Sequence, residues 1–313
     1  ASHPVWLVKR WLARLGEVET REFALANNVP PKISFRFNPK RNPIAETTEA
    51  LTLKDIEIRP SHLTPEAFVV EHGNLLAKSE PVQKGWLYLQ DQASQLIARL
   101  ALRLMAENQP AKILDMCAAP GSKASLIASE LSADSLVIAA DLHFHRLRTV
   151  KELSARLGVE NINPIRLNAE QDLPFAPQTF DLVLLDAPCS GLGTLQRNPE
   201  IKWRMNETKI VELAELQKRL LLKASEQVKP GGLLLYSVCS TEPEEGEEVV
   251  AWFRRQNSGY SDVTGERLAE LKVDNPPILT TTVGARTFTH RHGSESFFLC
   301  VLRKESSREI KSS

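Results

Sequence analysis

The sequence predicts an α/β protein: a mostly parallel sheet covered by helices on both faces, preceded by a small α+β module. Three observations carry this. From residue 112 onward, short apolar runs alternate with helical segments. Before Lys84-Gly85 the elements are short, punctuated by proline, and lack that alternation. The ends of several predicted strands carry Asp, Asn or Cys among small residues, which is where an open α/β sheet places a ligand.

In the first module, Leu7, Trp11 and Leu15 share a stripe, so His3 to Leu15 reads as a loose helix. Thr20 is the candidate cap of a second helix, Arg21 to Asn27, which Pro30-Pro31 ends. Ile33 to Asn38 alternates like a strand, and Thr47 to Lys54 reads as a helix. Pro60, Pro65 and Pro81 separate short extended pieces. Residues 1–84 form this module and residues 85–313 the larger domain, with no internal repeat.

The larger domain opens with a helix, Gln92 to Glu107, whose inner face carries Leu96, Ile97, Leu100 and Leu104. Strands follow at Lys112–Met116, Leu136–Ala140, Ile162–Leu167, Phe180–Leu185 and Leu233–Ser237. Helices alternate with them at Lys123–Leu131, Leu147–Leu157, Glu207–Val228 and Glu245–Arg255. Ser296 to Arg303 reads as an antiparallel edge strand, and Gly259 to Arg291 as turn-rich.

A chain of 313 residues with 42% apolar residues can bury a real core. No run approaches the ~18 apolar residues of a membrane span, and no secretory signal is visible, so a cytoplasmic location is expected. Cys117, Cys189, Cys239 and Cys300 stand 72, 50 and 61 residues apart, which matches no zinc spacing. Reduced thiols and no metal are the expectation. Net charge is zero, but up to Ile44 eight Lys and Arg stand against Glu17, Glu19 and Glu22. The acidic run Glu242, Glu244, Glu245, Glu247 and Glu248 reads as the solvated first turn of a helix.

The first strand of the alternating region runs into Cys117-Ala118-Ala119-Pro120-Gly121-Ser122-Lys123, which opens a helix. Small residues there let the backbone approach a ligand at a helix N-terminus. The three-glycine dinucleotide fingerprint is missing, which disfavours a nicotinamide-dependent oxidoreductase. Asp115, Asp141, Asn168 and Asp186 all fall at strand ends on one edge. Acceptors without anion-binding machinery suit S-adenosylmethionine, which has a ribose, an adenine amine and an ammonium but no phosphate.

Cys189 in Asp186-Ala-Pro-Cys-Ser-Gly191 and Cys239 in Tyr236-Ser-Val-Cys-Ser-Thr241 each follow an apolar strand. Cys300 inside an apolar strand reads as a small buried hydrophobe. The other two face one cleft, and spacing does not decide which attacks. A thiolate that adds to carbon 6 of cytosine makes carbon 5 nucleophilic enough to take a methyl group, turning one hard step into easier ones. Asp186 is the candidate for a contact to the pyrimidine ring.

These motifs together resemble the Nol/Nop/Sun family of RNA cytosine-5 methyltransferases, and within it the bacterial Sun (Fmu) group acting on 16S ribosomal RNA. Phe35-Arg36-Phe37-Asn38, Gln90-Asp91-Gln92-Ala93-Ser94, Arg197-Asn-Pro-Glu-Ile-Lys-Trp203 and Phe297-Phe298 support the likeness. The resemblance implies a seven-stranded Rossmann-like methyltransferase domain and an RNA-binding first module, with Arg36 and Asn38 on its surface. It implies Cys239 as nucleophile and Cys189 as the group that helps release product, with Asp186 and Lys123 in the catalytic pocket. It implies that Cys117, Ala118, Ala119, Pro120, Gly121, Ser122, Lys123, Asp141, Arg146, Asn168 and Asp186 bind S-adenosylmethionine. Arg197, Lys202, Trp203 and Arg204 are further candidate RNA contacts. Ser122, Asn168 and Glu295-Ser296 depart from the commoner Gly, Asp and Asp-Gly. The family's NusB-like helical domain would precede Ala1. A monomer is expected, and a catalytically idle RNA-binding factor is the alternative.

Overall fold

The chain opens with α1 (Val5–Ala26), bent at Gly16, whose φ of 76° and ψ of 178° lie outside the helical range. The break therefore falls at a glycine and not at Thr20, which is buried inside the helix and caps nothing. After it come β1 (Ser34–Phe37), α2 (Ile44–Thr52), β2 (Glu57–Pro60), β3 (Ala67–His72), α3 (Glu80–Gln83) and β4 (Leu87–Leu89). The four strands form an antiparallel sheet ordered β2-β3-β1-β4. β4 lies beyond Lys84, so the first sheet closes with residues that the sequence reading assigned to the larger domain. The computed structural model describes residues 2–64, 66–75, 77–271 and 278–306. Pro65, read as a punctuating residue, lies outside them.

Every residue of β1 is buried, although its alternation predicts one wet face. Arg36 is 2% exposed; its Nε donates to Gln90 Oε1 at 3.2 Å and its Nη2 to Ser125 Oγ at 3.1 Å. Burial lowers its pKa to about 10. Asn38 Nδ2 donates to the carbonyls of Gly85 and Leu157, both at 2.9 Å. These two residues, expected on an RNA-facing surface, instead seal the joint between the module and the larger domain. The other face of the joint is aromatic and aliphatic: Trp11 and Phe23 of α1 pack with Leu192, Leu195, Ile210 and Phe288.

The larger domain runs α4 (Gln92–Leu104), β5 (Lys112–Asp115), α5 (Ser122–Glu130), β6 (Leu136–Asp141), α6 (Phe144–Leu157), β7 (Ile162–Arg166) and β8 (Phe180–Asp186). It continues with α7 (Ile201–Arg204), α8 (Glu207–Gln227), β9 (Val228–Val238), α9 (Glu247–Gln256), β10 (Tyr260–Asp262) and α10 (Thr264–Glu270). β11 (Leu279–Thr280), β12 (Ala285–Arg286), α11 (Thr289–His292) and β13 (Phe298–Lys304) complete it. Strands β7-β6-β5-β8-β9 are parallel, and β13 joins β9 antiparallel. Among the described residues the sheet has nine strands where the resemblance implies seven, and the short β10, β11 and β12 lie on its antiparallel side. β13 consequently lies inside the sheet, not at its edge.

Apolar runs such as Leu182-Val183-Leu184-Leu185 are fully buried because helices cover both faces. Leu182 and Leu184 face the core under α4 and α5; Val183 and Leu185 face the core under α8 and α9. Each such side chain contributes about 1.5–3 kcal/mol by leaving water. Chain order reverses between β5 and β8, and the carboxyl ends of these two strands flank the crevice where such sheets bind ligands.

Candidate active site

At this crevice Asp115 ends β5 and Asp186 ends β8. Asp115 is 1% exposed, and its Oδ1 has no hydrogen-bond partner. Burial, reinforced by the charge of Asp186 and opposed by Lys123, raises its pKa to about 7. An unpartnered buried acceptor is costly unless something supplies a donor. The Cys117–Lys123 turn follows; Gly121 adopts a φ of 99°, and a Cβ there would lie 3.2 Å from the Val150 side chain. Burial pushes the Cys117 thiol well up, so it stays protonated.

Asp141 ends β6 and is buried; its Oδ1 accepts from the His143 amide at 3.0 Å, and Arg146 Nη1 sits 3.3 Å from its Oδ2. Arg146 Nη2 also donates to the Ala119 carbonyl at 3.0 Å, tying the turn after β5 to α6. Asn168 Oδ1 accepts from the Glu170 amide at 3.1 Å. Cys117, Asp141, Arg146, Asn168 and Pro188 all line one cavity of about 210 Å³. A larger cavity of about 790 Å³ opens between α6 and β7, but it holds none of these strand-end carboxylates or thiols. The chemistry therefore points to the smaller one.

The two thiols meet. Cys189 Sγ lies 3.1 Å from Cys239 Sγ, because β8 and β9 are hydrogen-bonded neighbours that end in register, Asp186 opposite Ser237. The hydrogen bond to Cys239, then burial, then the charges of Cys239 and Glu245 raise the Cys189 pKa far above an ordinary thiol's. The Gly193 amide donates to the Cys239 carbonyl at 3.0 Å, and a Cβ on Gly193 would lie 1.9 Å from the Ser296 carbonyl oxygen. Only glycine lets the chain pass there. Beside the thiols, Lys123 Nζ donates to Asp186 Oδ2 at 2.6 Å and Ser237 Oγ to Asp186 Oδ1 at 2.7 Å. Burial alone would lower the Lys123 pKa, but Asp186 outweighs it and the net shift is upward. Lys123 also stands 5.4 Å from the centre of the Phe297 ring.

The acidic run after Cys239 corrects the sequence reading. Glu242 and Glu245 are fully buried, not solvated. Arg10 of α1 donates to Glu242 Oε2 at 2.6 Å and grips Glu244, and Arg286 of β12 donates to Glu247 and to the carbonyls of Ser240 and Glu242. Two candidate RNA contacts are also engaged elsewhere. Lys202 is 5% exposed, and Arg197 Nε pairs with Glu295 at 3.1 Å and its Nη2 with Asp91 at 3.6 Å. Trp203 stays 63% exposed. The sequence offered no signal for the Arg197–Asp91–Glu295 cluster, which joins three distant segments.

Residues 101–303 match the family described as 16S rRNA methyltransferase RsmB/F, and residues 3–75 match the ferredoxin-like domain of the same proteins. The chain belongs to the RsmB/F family. It is 31% identical over 306 residues to the probable ribosomal RNA small subunit methyltransferase B of Bacillus subtilis, covering 97% of this chain and 67% of that protein. It is 32% identical over 304 residues to ribosomal RNA small subunit methyltransferase B of Yersinia pestis, covering 97% and 66%. The chain thus spans about two thirds of these relatives. The crystal structure of PH0851 superposes with a TM-score of 0.86 at 29% identity, covering 96% of this chain and 66% of that one. RsmB/F proteins are S-adenosylmethionine-dependent methyltransferases. The residues at the β5–β6 edge fit that donor: Asp115 offers a buried acceptor without a partner, beside a cavity bordered by Asp141 and Asn168.

Proposed function

We propose that this protein methylates carbon 5 of a cytosine in small-subunit ribosomal RNA through a covalent bond between Cys239 Sγ and carbon 6 of the base. The observation that carries this reading is the pair of thiols 3.1 Å apart at the ends of β8 and β9. Cys189 is held as a thiol and can donate its S–H across this contact, which makes Cys239 the attacking sulfur in this reading.

The Cys239 thiolate adds to carbon 6, and carbon 5 becomes the nucleophile. S-adenosylmethionine supplies an electrophilic methyl group on a sulfonium. Asp115 would hold its ammonium, Asp141 its ribose and Asn168 its adenine, with Arg146 keeping the Asp141 carboxylate and the Cys117–Lys123 turn in place. Lys123 donates to the ring nitrogen or carbonyl oxygen, and Asp186 retains acceptor capacity for the exocyclic amine. The paired Lys123 ammonium makes it, not Asp186, the hydrogen-bond donor to the ring. After methylation the carbon 5 proton leaves to solvent water, its electron pair re-forms the ring double bond, and the carbon–sulfur pair returns to the Cys239 sulfur, to which Cys189 stands close enough to return a proton. A stacked cytosine cannot reach the thiols, so the substrate base is flipped or unpaired. The solved structure of NSun6 from Pyrococcus horikoshii with SFG, at 20% identity and a TM-score of 0.80, shares the fold. The basic first module and Trp203 are the proposed RNA contacts.

The test is adduct mapping. The protein is mixed with S-adenosylmethionine and a 16S ribosomal RNA transcript carrying 5-fluorocytidine, whose fluorine blocks elimination, and the trapped peptide is read by mass spectrometry. An adduct on Cys239 supports the reading. An adduct on Cys189 exchanges the thiols, and no adduct on a bound RNA overturns the reaction.

A further inference from the structure

One buried carboxylate touches the residue that follows each thiol. Glu245 Oε1 accepts from the Ser190 amide at 2.7 Å and from Gln217 Nε2 at 3.1 Å. Its Oε2 accepts from the hydroxyls of Ser190 and Ser240, which lie 3.2 Å from one another. Ser190 follows Cys189 and Ser240 follows Cys239. The hydroxyls are not free to turn away, because each also accepts a backbone amide: Leu192 at 3.4 Å for Ser190, Glu242 at 3.1 Å for Ser240. The turn that carries Glu245 is itself anchored, since Tyr236 Oη donates to the Glu245 carbonyl at 2.6 Å.

Four donors converge on two oxygens, the arrangement an ionised carboxylate satisfies and an amide does not. Glutamine at this position would turn an N–H2 against at least one donor. We propose that Glu245 is the positioning residue of the thiol pair: by gripping Ser190 and Ser240 it holds Cys189 against Cys239 and thereby sets how fast the methylated base is released. This rests on the reading of Cys239 as nucleophile and Cys189 as the releasing group. Glu245 touches neither substrate nor donor; it acts through the two loops. Its negative charge also helps keep Cys189 protonated, the state needed to return a proton to the leaving sulfur.

The experiment compares the parent chain with Glu245→Gln. The first readout is the pH dependence of Cys189 alkylation by iodoacetamide, resolved from Cys239 by peptide mass spectrometry. The second is the lifetime of the covalent complex on a 16S ribosomal RNA transcript with ordinary cytidine. In E245Q the Cys189 curve is expected to move down by about one pH unit, a tenfold faster reaction at neutral pH. The covalent complex is expected to persist where the parent's turns over, with kcat reduced and KM held. An unchanged Cys189 curve together with an unchanged complex lifetime overturns the proposal. Should E245Q fail to fold, the double variant Ser190→Ala and Ser240→Ala, which removes two of the four donors, decides by the same two readouts. A parent chain that forms no adduct with 5-fluorocytidine RNA defeats the cytosine reading, and the alkylation curves then still decide whether Glu245 governs Cys189.

Discussion

The two ends of the crevice are built in opposite ways. At the β5–β6 end a buried carboxylate, Asp115, has an acceptor oxygen that no protein group satisfies, and the next two residues, Met116 and Cys117, line the small cavity. At the β8–β9 end, Glu245 is also fully buried, yet donors occupy both of its oxygens. Burial raises the pKa of both acids; hydrogen bonds offset it on both oxygens of Glu245, whereas Asp115 Oδ1 has none. The difference teaches how to read buried acids. An unsatisfied one marks where a ligand completes the structure, and a saturated one marks a device that holds other residues still.

The sharpest way to break this comparison is to neutralise the unsatisfied acid. Asp115→Asn should weaken S-adenosylmethionine binding by about 100-fold, the loss of a charge-assisted bond of ~3 kcal/mol, as titration calorimetry would show. The same variant should still form the 5-fluorocytidine-independent thiol contact of Cys189 and Cys239, read by alkylation, if the two ends are independent. It should also be more stable than the parent at high pH. The sign follows from the raised value: between the unfolded carboxyl's pKa near 4 and about 7, the folded state holds the extra proton. Stability contributed by Asp115 therefore falls as pH rises through that window, and is lost above it. A thermal midpoint that is flat across this range would remove Asp115 as the cause.

The saturated end is sharpened from outside the sheet. Arg10→Ala removes the cation that α1 places on Glu242, which is fully buried. We expect a loss of about 2–3 kcal/mol in denaturant unfolding, since breaking one side of a buried pair strands the other, together with slower turnover through the Cys239 loop. Unaltered stability would mean that Arg14, 3.8 Å from the same carboxylate, suffices. The smallest expected effect lies away from both ends. Lys40→Glu on the exposed loop after β1 should weaken RNA binding and reduce its salt slope by about one. Lys40 is the cleaner choice than Arg41, whose guanidinium caps α6 through the Ala155 and Arg156 carbonyls. An identical slope would move the RNA path elsewhere, with Trp203 the next residue to replace.

Much of the fold was legible because its signals are local. The parallel strands announce themselves as short apolar runs, and their ends as Asp, Cys or small residues. The helices show apolar spacing that needs no knowledge of partners. Thr20 defeated this reading, since the second helical stretch begins directly after the kink at Gly16 and Thr20 lies buried within it instead of capping it. Arg36 and Asn38 defeated it for another reason. Polar residues in an alternating strand look solvent-facing until a second domain covers them and supplies Gln90, Ser125 and the carbonyls of Gly85 and Leu157.

By itself the sequence determined that strands alternate with helices, that acidic residues and two thiols fall at strand ends, and that the turn after β5 is made of small residues. These depend on neighbours within a few positions, through propensity, periodicity and turn chemistry. Only the tertiary structure decided that Cys189 and Cys239 sit 3.1 Å apart, that Glu245 joins their loops, and that Asp115 Oδ1 is left without a partner. The physical reason is that burial and hydrogen-bond satisfaction are properties of segments brought together across the sheet. Glu242 and Glu244 belong to one acidic run, and nothing in that run distinguishes the residue that α1 buries from the one it leaves partly in water.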